Sequence, residues 1–424
     1  MTHHIETNEK YRIGSIVQKN SRIFYAKLTV DIQTSNTPAF EALQEVYAEA
    51  LLSGAGKFSR EAFLNEINKL GASVDVSIND SKLTISLRSS ADNASRLMTL
   101  FTLMLDTPTF AQNELHRIKT LITNELTEHT EDSKAVAYEN LANQLYSNKD
   151  RRYTAPIQLI QKNVSRITQK DLQTLHQQIR SFYWSATVGT HSETVINFSE
   201  VLKKIKAAEQ TTLLKKEHVP KLPKESLVLK NIPGKQNIDF SIGGALPLTL
   251  HHPDFIPFTF GLNVLGKWGG FTGRLMSTIR EKEGLTYGIY AKIETVSGEE
   301  TGFWRIMTFF SPEQSHQGLT STLREVNLIA KKGITEDEYR RFKTILITQQ
   351  TLLNDSYIRT IADFHFFVSE GFEIEEMKEL KSKMHTVSKK EINTALAKYL
   401  DPKKIVISGA GPVETVKQAL QKLV

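Results

Sequence analysis

With 424 residues, 40% of them apolar, the chain is too long for one ordinary core and has enough apolar side chains to build two or three. It contains no cysteine, which excludes disulfides, thiolate metal sites and a thiol nucleophile, so a metal would have to be held by His, Asp or Glu. A formal charge of +6 without a dense Lys/Arg block argues against a nucleic-acid partner, and the longest apolar run, LMTLFTLML, is far short of the ~20 residues of a membrane helix, so a soluble protein is expected.

The opening MTHHIETNEK is polar and lacks the basic start and apolar stretch of an export signal. It reads as a tail carrying His3 and His4 and points to a cytoplasmic protein, with the periplasm as the alternative if a leader has been removed. RIGSIVQKN and IFYAKLTVDIQ alternate as strands before a turn at TSNTP. Phe40, Leu43, Tyr47, Ala50 and Leu51 then fall at helical spacing, with Gly54 expected as the left-handed stop. A second helix, SREAFLNEINKL, is capped by Ser59 and ends at Gly71, handing over to the strands ASVDVSIND and KLTISLRSS.

Much of this recurs. NELHRIKTLITNE at 113–125 aligns with DEYRRFKTILITQ at 337–349 at an offset of 224 residues, and FLNEINKLGASVDVSI at 63–78 echoes LMSTIREKEGLTYGIYAKI at 275–293. A period this long predicts a duplicated α+β domain rather than a solenoid. The stretch at 203–230, rich in lysine with two prolines, reads as an extended linker. The expected organisation is a first domain over 1–205, a linker over 206–225 that serves as a hinge, and a second domain over 226–424.

The motifs that carry chemistry are few. No H-E-x-x-H, H-x-x-E-H, G-x-S-x-G or phosphate-loop order is present. Glu125 and His129 have helical ligand spacing but sit among further acids, which favours a solvated face, and His251 and His252 beside Pro253 are expected to meet solvent. Glu41, Glu45 and Glu49 step along one stripe, as on the exposed edge of an amphipathic helix. The glycine-rich GKWGGFTGR at 266–274 reads as a turn between helices. In STIREKEGLTYGIYA, Arg280 lies one turn before Gly284, and Tyr287 follows in what the pattern reads as a strand, so the two converge at a corner able to hold a carbonyl oxygen or oxyanion. The bland reading makes Tyr287 a core residue on one strand face with Leu285, Ile289 and Ile293, and the alternation favours it.

The segment HHPDFIPFTFGLNVLGKWGGFTGRLMSTIREKEGLTYGIYA, with its order of Gly-rich turn, R-L and I-R-E-K-x-G-L-x-Y, closely resembles the second domain of the pitrilysin/insulinase family of zinc peptidases. The first half, from VYAEALLSG through KLGASVDVSIND to NELHRIKTLITNEL, resembles the family's zinc domain. The likeness implies two homologous α/β domains, each an antiparallel-rich sheet flanked by helices, forming a clam-like half-chamber. The family's H-x-x-E-H falls on VYAEA, so Val46 and Ala50 stand where two zinc histidines would be, Glu49 remains, and Glu125 corresponds to the third ligand. Catalytic zinc takes three protein ligands, and this set does not supply them. Arg280 and Tyr287 fall on the family's substrate-contacting pair, and Gly71, Ala72, Ser73 and Val74 open the strand that would bind an extended peptide by strand addition.

The resemblance thus implies the zinc-less subunit of a heterodimeric peptidase. It would bind no cofactor itself, with zinc on a pitrilysin-like partner subunit and a peptide as substrate. The rival reading is a non-enzymatic pseudopeptidase, a scaffold or peptide-binding module, homodimeric if no zinc-bearing companion exists. A peptidase working alone through Glu49, Glu125 and His129 has the wrong ligand number and type.

Overall fold

A computed structural model describes residues 2–18, 21–32, 36–190, 200–202, 226–267, 272–353 and 355–423. The first half carries strands β1 (Thr2–Thr7), β2 (Tyr11–Val17), β3 (Ile23–Asp31), β4 (Gly54–Ala55), β5 (Phe58–Ser59), β6 (Ser73–Asn79), β7 (Lys82–Ser90) and β8 (Trp184–Thr190). Its helices are α1 (Pro38–Leu51), α2 (Arg60–Lys69), α3 (Ala94–Asp106), α4 (Gln112–His129), α5 (Ser133–Leu145), α6 (Ile157–Val164) and α7 (Gln169–Ser181). The second half carries β9 (Leu227–Asn231), β10 (Ile238–Leu246), β11 (Ile289–Glu294), β12 (Gly302–Phe310) and β13 (Val406–Gly411). Its helices include α8 (Phe255–Gly266), α9 (Pro312–Lys332), α10 (Glu336–Leu353), α11 (Tyr357–Ser369), α12 (Ile374–Thr386) and α13 (Lys389–Tyr399).

The two sheets have one topology. The first runs β1-β2-β8-β3-β7-β6 and the second, read from its far edge, β9-β13-β10-β12-β11. In each, a single parallel pair, β2/β8 or β13/β9, sits among antiparallel ladders. The duplication read from the sequence is therefore present strand for strand, with β1 added to the first sheet. The repeated 18-residue helices α4 and α10 occupy corresponding places in the chain order.

The halves exchange a helix. α5 of the first half lies on β10 and β13 of the second sheet, and α11 of the second half lies on β8, β2 and β3 of the first. The same 224-residue spacing separates Ser133 from Tyr357, their first residues. The period-2 alternation of β3 explains how one strand serves two cores. Phe24, Ala26 and Leu28 enter the main core of the first half, while Ile23 and Tyr25, on the other face, pack with Ile361, Phe364 and Val368 of α11. Glycines let α11 approach: a Cβ on Gly189 would stand 2.0 Å from Ile361 Cδ1, and one on Gly14 would stand 2.7 Å from Val368 Cγ2. Opposite, Leu141, Ala142 and Leu145 of α5 share a buried cluster with Phe303 and Val406.

Two local expectations change. The opening residues are not a tail but the edge strand β1, whose His3 ring meets Phe364 of α11 edge-on at 4.8 Å. Helix α1 stops at Leu51, before Gly54, which belongs to the short β4/β5 ribbon; the glycine with φ near the left-handed minimum there is Gly56, at 56°. His251 is exposed, as expected, while stacking one face on Phe372 at 4.1 Å, and the half-buried His252 accepts the Asp254 N–H at Nδ1. The glycine-rich stretch after α8 lies partly, at 268–271, outside the described residues, and the linker expected at 206–225 lies wholly outside them. Among the described residues no helix is long and apolar enough to cross a membrane.

Candidate functional site

Helix α1 begins where Thr37 Oγ1 accepts the Phe40 N–H at 3.2 Å, with Pro38 in its first turn. That start sets its phase. Val46 and Ala50 are 0% and 1% exposed and lie in the main core, whereas Glu49 points to solvent. Glu125, on α4, is close enough for the Glu49 charge to act on it: burial first, then Glu49 and Glu128, hold its pKa above the ordinary carboxylate value. The fold thus brings two carboxylates together where the resemblance places a metal. The residues do not fit catalytic zinc, because Val46 and Ala50 offer no lone pair; among the described residues no group of three His, Asp or Glu is arranged to hold a metal ion.

Next to these carboxylates is a cavity of about 380 Å³ whose lining includes Asn36, Glu41, Glu45, Glu125, His129 and Arg151. Here the stripe read as a solvated edge divides: Glu45 and Glu49 are exposed, as read, whereas Glu41 is half-buried. Glu41 Oε2 accepts from Asn36 Nδ2 at 2.9 Å and from the Ala155 N–H at 3.1 Å. Burial nevertheless pushes its carboxyl up to about 7, outweighing both hydrogen bonds. Partial desolvation where it borders the cavity, and then the neighbouring Glu125, raise the pKa of the exposed Glu45. His129 does not pair with Glu125 as ligand spacing suggested; its Nε2 lies 2.6 Å from Glu139 Oε1, and that contact raises its pKa. Glu41 and Asn36 were not singled out from sequence. The only signals available were the acidic stripe and the asparagine of TSNTP.

The second-half pair is set up by an unusual turn. Met276–Lys282 is a π-helix, and the turn closes with Glu283 N–H bonded to Thr278 C=O and Leu285 N–H to Ile279 C=O. Gly284 takes φ 65°, a conformation glycine reaches without strain. The chain then runs through Leu285 and Thr286, both buried, before β11 starts at Ile289. Thr308 Oγ1 donates to Gly288 C=O at 3.1 Å, fixing this entry. Tyr287 therefore precedes the strand rather than belonging to it, and it is 71% exposed, which overturns the core reading. The guanidinium of half-buried Arg280 lies over its ring, 4.8 Å from the centroid. Two hydrogen-bond donors are thus presented at one corner.

Strand β6 is one edge of the first sheet, opposite β1, and among the described residues it pairs with β7 alone. Gly71, at φ 57°, ends α2 and turns the chain into it, and along the strand Ser73, Asp75 and Ser77 are exposed while Val74 and Val76 are half-buried. Ala72 packs against the main core, and the outer backbone edge begins at Ser73 and Val74.

Residues 185–346 match the sequence profile of the Peptidase M16 inactive domain. A curated relative, the "Non-peptidase homolog YmxG" of Helicobacter pylori, is 22% identical over 358 residues, which covers 83% of this chain and 80% of that protein. Among solved structures, a peptidase M16 inactive domain from Pseudomonas fluorescens superposes with a TM-score of 0.84 at 21% identity, covering 97% of this chain and 98% of that one. A protease from Helicobacter pylori gives 0.78 at 12% identity, covering 96% and 99%. The periplasmic protease PqqL from Escherichia coli gives 0.75 at 13% identity over 96% of this chain but 46% of its own length. At such identities the structural likeness is one of fold. The pitrilysin-type resemblance stands, and the profile that matches is that of the inactive domain.

Proposed function

We propose that this chain is a non-peptidase member of the pitrilysin-type fold that acts as the zinc-less subunit of a two-chain peptidase. The observation that carries the reading is an asymmetry. The two positions for zinc imidazoles are filled by core residues Val46 and Ala50, while Arg280 and Tyr287 are kept together at the surface. In this role the guanidinium and the phenol donate hydrogen bonds to the peptide carbonyl as it develops oxyanion character at the partner's zinc. The metal belongs to the partner, and this chain binds none. The β6 edge offers backbone groups to an extended peptide, which makes recognition tolerant of sequence.

The test is reconstitution. The chain is assayed with a quenched peptide alone, then with a chain from the same genome that has an intact H-x-x-E-H. Chelator-sensitive cleavage should appear only in the mixture and should weaken when Arg280 or Tyr287 is replaced. Chelator-sensitive hydrolysis by the pure chain refutes the proposal. A second reading, a peptide-binding pseudopeptidase that never joins a catalytic assembly, is supported by the open β6 edge and by the relative described as a non-peptidase homolog. Peptide binding without turnover in any mixture favours it.

A further inference from the structure

The cavity beside the vacated zinc position is walled by α1, α4, α5 and α6 and by the β6/β7 turn. Its volume of about 380 Å³ falls within the roughly 300–1,000 Å³ of small-ligand sites. Part of the wall is apolar, made by Ile122 and Leu126 of α4 with Ile157 and Ile160 of α6. The rest offers acceptors. Asn36 and Ser81 are 7% and 2% exposed, and Asn36 Oδ1 and Ser81 Oγ are buried without a hydrogen-bond partner. Asn36 spends its two donors on Glu41 Oε2 and the Tyr153 carbonyl, so its oxygen can be satisfied only by a further donor. The charge is unbalanced in the same direction. Glu41 feels the carboxylates of Glu45 and Glu139, Glu45 those of Glu125 and Glu49, and Glu125 those of Glu49 and Glu128. The cations in the wall are already committed: Arg151 to Glu300, Arg152 to Asp150 and His129 to Glu139.

We propose that this cavity binds an organic cation, a primary ammonium or guanidinium carried on an alkyl stem, in the space beside the lost zinc ligands. A bare metal ion does not suit the wall, since among the described residues no three His, Asp or Glu are placed to hold one. A head group with several N–H donors does suit it. Such a group bonds acceptors spread over a wider arc, while its stem lies on the isoleucines and Leu126. Burial sets the direction of entry. Asn36, Ser81 and the half-buried Glu41 form the inner wall, and the exposed Glu45 and Glu125 form the mouth, where their charge draws a cation in. An anion is repelled, and an uncharged alkyl compound leaves the acceptors unsatisfied. The head group can belong to a free diamine-like molecule or to a lysine or arginine of a peptide. The site asks for neither zinc nor a second chain, so it stands or falls apart from the two-chain reading.

Isothermal titration of the full chain by itself, at about pH 8 where Glu41 is ionised, is the test. Agmatine serves as the free cation, and a short blocked peptide with one central arginine, beside the same peptide with neutral citrulline, serves as the side-chain form. Agmatine or the arginine peptide should saturate a single site. Glu41→Gln should weaken that binding by about tenfold or more, the scale of one hydrogen bond to a charged group. Glu45→Gln should weaken it less, and because Glu45 is exposed this variant keeps the test open should the first not fold. Saturable agmatine with no difference between the two peptides assigns the site to a free cation, and a preference for the arginine peptide assigns it to a side chain. No agmatine binding and no such preference, or affinities unchanged in both variants, overturns the proposal.

Discussion

The guanidinium carbon of Arg280 lies 4.8 Å from the centroid of the Tyr287 ring, with the arginine on a π-helical turn and the tyrosine just ahead of an edge strand. Because Tyr287 is 71% exposed, Tyr287→Phe should alter folding stability by less than about 0.5 kcal/mol. In the mixed assembly the same change, or Arg280→Lys, should lower turnover by about one to three orders of magnitude, the scale of losing one oxyanion donor. Denaturant unfolding and peptide turnover, measured on the same preparations, separate the two effects. Unchanged turnover would remove the pair from the reaction.

Restoring the missing imidazoles should not restore a metal site cheaply. Val46 and Ala50 have no exposed surface to speak of, so Val46→His with Ala50→His inserts two polar rings into a packed core. A loss of about 2–5 kcal/mol is expected from overpacking and unsatisfied ring nitrogens. Tight stoichiometric zinc binding with undiminished stability, by metal analysis and chemical denaturation, would show that the cradle has survived.

Glu41 gives a pH dependence whose sign can be worked out. Its folded pKa of about 7 lies above the ordinary 4.5, so between these values the folded state holds more protons than the unfolded chain. Its contribution to stability therefore declines as pH rises from about 4.5 through about 7 and is level above. Glu41→Gln removes that slope, and the variant should gain on the native protein by about 1–2 kcal/mol between pH 5 and 8, after allowance for partial solvent screening. Parallel urea titrations with the same slope for both proteins would contradict the burial of this carboxylate.

Gly189→Ala tests the exchanged helix. The new Cβ would stand 2.0 Å from Ile361 Cδ1 and 3.0 Å from the Tyr357 hydroxyl, so α11 has to move off the first sheet. A destabilisation of about 1–3 kcal/mol is expected, the usual cost of overpacking. Amide exchange should quicken in α11 and β8 while the α5 contact with the second sheet stays protected. Uniform protection and unchanged stability would mean that the helix is not held there.

His176 shows how the fold sets a buried group that sequence spacing does not expose. It sits between the Tyr47 hydroxyl, 2.9 Å from Nδ1, and the Leu105 carbonyl, 2.9 Å from Nε2, which fixes the tautomer with Nε2 protonated. Tyr47, by contrast, was legible as a core position from helical spacing alone. Apolar periodicity survives translation into structure because it follows from burial of one face. The partners of this polar group come from elements 71 and 129 residues away, and one-dimensional spacing holds no trace of them.

What the sequence determined was the repeat, the strand and helix order at the start of the first copy, and, through the resemblance, the loss of zinc ligands at Val46 and Ala50. Each is a matter of side-chain type and local period. Tertiary structure alone decided that Tyr287 is exposed, because a π-helical turn delays the strand until Ile289. It also decided that Glu41 is half-buried against a cavity instead of standing on the open edge with Glu45 and Glu49, and that α5 and α11 cover each other's sheets. Those outcomes depend on which long-range surface each helix face meets. A duplicated sequence has two chemically similar sheets to choose from, and close packing over Gly14 and Gly189, rather than local pattern, makes the choice for α11.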